Sequence, residues 1–132
     1  MYLIRGSDAP VHTRRGTTEP TITVLFGGDH DSEQVGMVRV SMPPSSRMPS
    51  HRHGGSDTIL APVIGHVRVT KADQVAELGP GDALLILKYE SVTLENPHEE
   101  PAEVLVAAGP AGFVSAIRRE PRPHRPADRL PR

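Results

Sequence analysis

Two histidines, His51 and His53, are the residues of this chain whose types and spacing best suit chemistry. Side chains on an extended segment repeat every two residues, so imidazoles at i and i+2 point to the same side. Two neutral nitrogen donors on one wall of a pocket would supply part of the coordination sphere of a first-row transition metal. The alternatives are that the two rings contact a ligand directly, or lie solvated at the mouth of the fold.

Two carboxylates and one phenol could complete such a site. Asp57 with the two imidazoles would make a facial triad, which suits Fe(II) or another divalent ion; the alternative is that Asp57 forms a turn. Glu90 could be a further ligand or a general acid or base, or else a solvated residue of a turn. Tyr89 could donate a proton or orient a substrate. The sequence leaves these alternatives open.

The elements that must position these residues are short and rich in β-formers. No segment keeps a 3.6-residue apolar period over three turns, and turn residues separate the apolar runs. This pattern predicts an all-β fold, an antiparallel double-sheet barrel or jelly roll whose mouth holds a ligand, with less than about 15% helix. The predicted strands cover residues 21–26, 35–42, 58–64, 66–70, 75–78, 83–87, 91–95, 103–108 and 113–117.

The length of 132 residues predicts one domain with its own core. We expect an N-terminal arm over 1–20, the barrel over 21–117 and a flexible Pro/Arg-rich tail over 118–132. The lack of cysteine excludes disulfides, zinc–thiolate sites and thiol nucleophiles. No apolar run approaches the roughly 18 residues of a membrane span, so we expect a cytoplasmic protein without a membrane partner.

The net charge of −1 divides unevenly, with about −5 before residue 118 and about +4 in the tail. The tail has four prolines and no aromatic residue, so it resembles a solvated extension, and we expect no nucleic-acid partner. Arg39 and Arg68 lie within predicted strands, and either could face the cavity or solvent. If they face the cavity, the substrate is anionic. We expect His30, His66 and His98 at the surface.

From residue 36 to residue 109 the sequence resembles a small single-domain cupin. The resemblance rests on two segments in register. The matching positions are His51, His53 and Gly65 in the first motif, and Gly81 and Asn96 in the second. It implies a jelly-roll barrel, with His51 and His53 carried over as metal ligands.

The chain also departs from the cupin motifs. The glutamate position of the first motif falls on Asp57 or Thr58, depending on the spacing. Val92 stands where the last metal-binding histidine of the second motif would stand, and valine cannot coordinate a metal. Glu90, two residues earlier on the same side of a strand, is the candidate replacement.

The resemblance implies a small-molecule enzyme, and a composition rich in Ala, Arg, Pro and Gly, typical of high-GC bacterial genomes, favours bacterial specialised metabolism. It would hold a divalent ion (Fe, Zn, Ni or Mn) on its two histidines and act as a dioxygenase, isomerase or cyclase on a metabolite such as a polyketide. One alternative is a metal-free enzyme with the histidines, Tyr89 or Glu90 as acid and base, and another is a ligand-binding or sensory cupin without turnover. We also expect a homodimer, because a partner can cover open strand edges.

Overall fold

The structure is a computed structural model that describes residues 1–13, 19–28 and 31–119. A short 3₁₀ turn spans Gly6–Asp8, and ten strands and one α-helix follow in the described residues. The strands are β1 (Val11–Thr13), β2 (Thr21–Phe26), β3 (Gly36–Met42), β4 (Arg47–His51), β5 (Asp57–Ile64), β6 (Val67–Lys71), β7 (Gln74–Leu78), β8 (Leu84–Ile86), β9 (Val92–Glu95) and β10 (Ala102–Gly109). The helix α1 spans Gly112–Arg119.

The strands form two sheets in which every described pair is antiparallel. One sheet has six strands in the order β1-β2-β3-β10-β5-β8, and the other has four in the order β4-β9-β6-β7. The two sheets enclose the core, but they do not close into a continuous barrel. The predicted all-β, double-sheet class is therefore confirmed.

The core is formed by residues that alternate along the strands between buried and more exposed positions. In β3, Val38, Val40 and Met42 are buried while Arg39 between them is half-buried, and β10 alternates in the same way through Val104. Burying each valine side chain contributes about 1.5–3 kcal/mol. The inner faces of both sheets thus supply an apolar lining without any helix between them.

The segment predicted as a strand over 113–117 is instead part of helix α1, so that prediction was wrong. Val114 and Ile117, one helical turn apart, are both buried, and the residues between them are more exposed. A run of five residues is too short to separate this stripe from the alternation of a strand. The helix packs on β2, β3 and β10.

Helix α1 includes the first two residues of the region predicted to be a tail. Arg118 Nε donates a hydrogen bond to the backbone oxygen of Gly27 at 2.7 Å, and a guanidinium nitrogen lies 3.7 Å from Asp31 Oδ2. The remainder of the predicted tail, residues 120–132, lies outside the described residues, as do His30 and residues 14–18 of the arm. In the part of the chain that the structure describes, no helix is long and apolar enough to cross a membrane.

Candidate functional site

A cavity of about 600 Å³ lies between the two sheets. Most of its wall is apolar, from inward side chains such as Val38 and Val106 of the six-stranded sheet and Val92 and Leu94 of the other. Residues of helix α1 line one part of the wall, and residues 47–56 line another. A cavity of this size and polarity suits a small organic ligand.

His51 ends β4 and borders this cavity. Its Nδ1 lies 2.8 Å from the backbone oxygen of Pro49. Because a carbonyl oxygen can only accept, Nδ1 carries the hydrogen, and Nε2 of the neutral ring carries the lone pair. Val92 is the strand partner of His51 across β4 and β9, so the residue facing it in the sheet offers no donor atom.

His53 follows two residues later and is only 8% exposed. Its ring lies edge-to-face on two neighbours, with centroids 4.9 Å from His51 and 5.0 Å from Phe113. Burial, and secondly repulsion from His51, lowers the pKa of His53 to about 4. His53 is therefore a neutral imidazole at physiological pH, and its Nδ1 lies 3.4 Å from the buried Thr58 hydroxyl.

The loop after His53 is tied to the start of helix α1. Ser56 Oγ donates to the Pro110 backbone oxygen at 2.6 Å and accepts the Phe113 N–H at 3.4 Å. Ser56 is buried, whereas Pro110 at the other end of this hydrogen bond is exposed. These bonds link the loop to the start of the helix, where the Phe113 ring contacts His53.

The structure does not bring Asp57 or Tyr89 to the cavity wall. Asp57 is exposed, and its Oδ1 accepts the backbone N–H of Lys88 at 2.9 Å. Tyr89 is 64% exposed at a φ of 64°, and its N–H donates to the Gly54 backbone oxygen at 2.9 Å. These two hydrogen bonds link residues 54–57, which follow the histidines, to residues 88–89. Their position favours a structural role for Asp57 and Tyr89.

Glu90 also lies outside the cavity lining. Its carboxylate accepts the Leu87 N–H at 2.7 Å and pairs with Lys71. The hydrogen bond from Lys71, followed by that from Leu87, lowers the pKa of Glu90. A carboxyl group stabilised in its ionised form on the protein surface is poorly suited to proton transfer in the cavity.

The arginines that border the cavity are not the two that the sequence suggested, Arg39 and Arg68. Arg39 pairs with Glu103 at 2.8 Å on the outer side of its sheet, and Arg68 pairs with Glu77. Neither borders the cavity, whereas Arg47 and Arg52 do. Alternation along a strand could not predict the position of Arg52 at the cavity, because Arg52 lies in the loop just after β4.

His12 is a cavity residue that the sequence did not single out. It lies on β1 of the N-terminal arm, is 8% exposed and borders the same cavity as the histidine pair. The arm carries no motif, and its three-residue strand is too short to predict from alternation. Only its pairing with β2 brings His12 to the cavity wall.

The donor atoms present do not make a complete metal site. A mononuclear centre takes about three or four ligands from the protein, and His51 and His53 supply two. In residues 1–13, 19–28 and 31–119 there is no group of three or more histidine, aspartate or glutamate side chains arranged to hold a metal. Asp57 and Glu90 are engaged elsewhere, and Val92 occupies the position of the missing histidine.

Comparison with known proteins supports the fold. The family model of the cupin domain matches residues 38–108. A protein from Thermus thermophilus is 25% identical with a TM-score of 0.63, over 74% of this chain and 89% of that one. No curated protein matches the sequence.

Two solved structures with named functions are similar in fold. The polyketide cyclase RemF from Streptomyces resistomycificus is 18% identical with a TM-score of 0.69, over 83% of this chain and 79% of that one. A predicted oxalate decarboxylase from Thermotoga maritima is 18% identical with a TM-score of 0.68, over 82% and 98% of the respective chains. At these identities the likeness concerns the fold alone.

Proposed function

This chain belongs to the cupin family, and from that premise we propose that it is a small-molecule enzyme in which His51 and His53 transfer and hold protons on a bound metabolite. One observation carries the proposal. Two adjacent imidazoles, one of them buried and neutral, border a largely apolar cavity of about 600 Å³. A dry pocket with a few convergent polar groups is the usual setting of proton-transfer catalysis.

The two rings have different roles because their Nδ1 atoms have different partners. His51 donates from Nδ1 to Pro49, so its Nε2 is the base that removes a proton from the substrate. The Thr58 hydroxyl lies 3.4 Å from Nδ1 of His53. We assign the hydroxyl as the donor in this contact, which leaves Nε2–H of His53 to donate to a substrate oxygen. A neutral imidazole of this kind stabilises a developing oxyanion.

The reaction class is proton abstraction from a carbon beside a carbonyl group. His51 takes the proton, the C–H electron pair forms an enolate, and the oxygen of that enolate accepts the N–H of His53. In a conjugated enolate, return of the proton from His51 to the far carbon of the conjugated system is an isomerisation. Attack of the enolate carbon on a second carbonyl of the same molecule is a cyclisation, in which protonated His51 returns its proton to the new alkoxide. The apolar cavity favours an aromatic or polyketide-like metabolite, and the fold shared with a polyketide cyclase is consistent with specialised metabolism.

The experiment uses methyl 2-naphthyl ketone as the probe, with chelator-dialysed protein in D₂O. Calorimetry measures binding, and proton NMR follows exchange of the methyl protons for deuterium. We expect binding together with exchange above the buffer rate. Binding without exchange would contradict an enzyme and leave a ligand-binding cupin, and the absence of both would contradict the cavity as the site.

A divalent metal is the second candidate, because the lone pair on His51 Nε2 and the neutral ring of His53 are also what a metal ligand requires. The same exchange assay is repeated after adding Fe(II), Zn, Ni or Mn, with metal content measured on the purified protein. Exchange that appears only with metal, at about one ion per chain, would replace the metal-free proposal.

We also propose that the protein is a homodimer. Ile59 on β5 and Leu85 on the edge strand β8 are cross-strand partners, about half exposed, on the outer face of the six-stranded sheet. A second copy would cover this apolar pair and the open edge beside it. Light scattering at tens of micromolar should give twice the chain mass, and Leu85→Glu should give the monomer; a monomeric wild-type protein would contradict the proposal.

A further inference from the structure

The charges around the cavity are unlike those of the rest of the chain. The sequence before residue 118 is acidic overall, yet no aspartate or glutamate among the described residues borders the cavity. Two arginines, Arg47 and Arg52, border it together with three histidines. A cavity with basic residues at its wall and no carboxylate favours a negatively charged ligand.

We infer that the cavity selects a ligand with an apolar ring body and a carboxylate head group, and that Arg52 recognises the head group. The inference rests on the proposed function, since it concerns the occupant of the same cavity. It goes further by assigning the chemical class of the substrate and a residue for its recognition.

Arg52 is placed for this role by its sequence neighbours and by one hydrogen bond. It lies between His51 and His53 in the sequence, and all three residues line the cavity. Its Nε donates to Ser91 Oγ at 3.1 Å, which restrains the planar guanidinium. The terminal N–H groups of a guanidinium match the two oxygens of a carboxylate in a bidentate pair.

Within the described part of the chain, neither cavity arginine has a carboxylate partner. Ion pairs within the chain involve Arg39, Arg68, Lys71 and Arg118. Arg47 and Arg52 form no ion pair with a described residue. Their positive charge is therefore not neutralised by a neighbouring side chain, and an incoming anion can approach it.

A monoanion fits better than a phosphate dianion. The ring of His53 beside the proposed head-group site is neutral, with its pKa lowered to about 4, and most of the remaining wall is apolar. A second negative charge would lose its hydration without a matching cation. A single carboxylate on an apolar body therefore suits this wall better than a dianion does.

The test compares 2-naphthoate with the neutral 2-naphthamide and with 2-naphthyl phosphate, by calorimetry in 150 mM salt. We expect the wild-type protein to bind naphthoate about tenfold more tightly than naphthamide, as for one good charge-assisted pair. In Arg52→Gln the preference should disappear while the affinity for naphthamide is retained. Arg52→Lys should keep part of the preference, and Arg5→Gln, which removes an exposed charge outside the cavity, should keep all of it.

Four outcomes would overturn the inference when the wild-type protein binds at least one probe. They are equal binding of acid and amide by the wild type, tighter binding of the phosphate than of naphthoate, an unchanged preference in Arg52→Gln, and loss of amide binding in that variant. Failure of all three probes to bind the wild type would overturn the inference together with the cavity proposal. Amide binding without a preference for the acid would overturn the inference alone.

Discussion

Two pairs of histidines in this protein have similar ring geometry and different surroundings. His51 and His53 lie edge-to-face with centroids 4.9 Å apart, and His66 and His98 lie edge-to-face at 6.1 Å. The first pair borders the cavity and includes a buried ring, whereas both members of the second pair are exposed and outside the cavity lining.

This difference indicates that the surroundings of an imidazole, rather than its contact with a second imidazole, determine whether it is suited to acid–base chemistry. Burial against Phe113 and a bond to Thr58 hold one orientation of His53 in a neutral state. His66 and His98 have exposed rings and no corresponding contact with Phe113 or Thr58. The surface pair therefore supplies matched control variants for each test of the cavity pair.

The largest effect is expected from truncating the cavity histidines. His51→Ala should lower the rate of deuterium exchange into methyl 2-naphthyl ketone by roughly a hundred- to ten-thousandfold, as for loss of a general base. His53→Ala should lower it by roughly a hundredfold or more, as for loss of an oxyanion donor. His66→Ala and His98→Ala should leave the rate within about twofold, because surface changes perturb little. Equal losses in the two pairs would show that folding, not chemistry, was affected.

The next largest effect is expected on the pH dependence of the free energy of unfolding. The pKa of His53 is about 4 in the folded state against about 6.5 in the unfolded chain, so the unfolded chain binds more protons between these values. Stability is therefore lost as the pH falls from 6.5 to 4, by at most about 3 kcal/mol from this group. Urea unfolding should show a smaller loss for His53→Gln than for the wild type, while His66→Gln behaves like the wild type. Identical losses in wild type and His53→Gln would contradict the assignment.

A smaller effect is expected at the residue that orients His53. Thr58→Val keeps the shape of the side chain and removes the hydroxyl near Nδ1. Without that donor, the hydrogen of His53 should move to Nδ1, and the exchange rate should fall by about tenfold. Nitrogen-15 chemical shifts of the ring report the tautomer. A fall in rate without a change of tautomer would mean that Thr58 acts in another way.

The smallest effect is expected at the C-terminus. Removing residues 120–132 should change the free energy of unfolding by less than about 1 kcal/mol, because the segment is rich in proline and charge. Removing residues 118–132 should cost more, since Arg118 donates to the Gly27 backbone oxygen and is mostly buried against it. Thermal unfolding of the two truncated chains distinguishes these expectations; equal stability would show that the Arg118 contact contributes nothing.

The sequence predicted most of the fold because alternating residues along a strand report burial directly. Val38 and Val40 face the cavity, as the alternation in β3 indicates. The spacing of His51 and His53 likewise predicted two neighbouring rings at a cavity. These features depend on residues close in the chain, so a local pattern contains the information.

The remaining features depend on contacts between distant segments. His12 reaches the cavity only through the pairing of β1 with β2, and Phe113 contacts His53 only because its segment folds as a helix over the sheets. Asp57 and Glu90 are carboxylates at suitable spacings, but backbone N–H groups of the 87–90 turn hold them away from the cavity. No local pattern distinguishes a carboxylate that accepts such bonds from one that faces a ligand.

The most direct test of the central claim is a pH titration of the His53 ring by NMR in the chelator-dialysed protein. The protonation midpoint should lie near 4, because burial beside Phe113 disfavours the charged ring. In Phe113→Ala the midpoint should rise as water reaches the ring. A wild-type midpoint near 6.5, the value of an unperturbed histidine, would contradict the claim that the cavity holds His53 neutral.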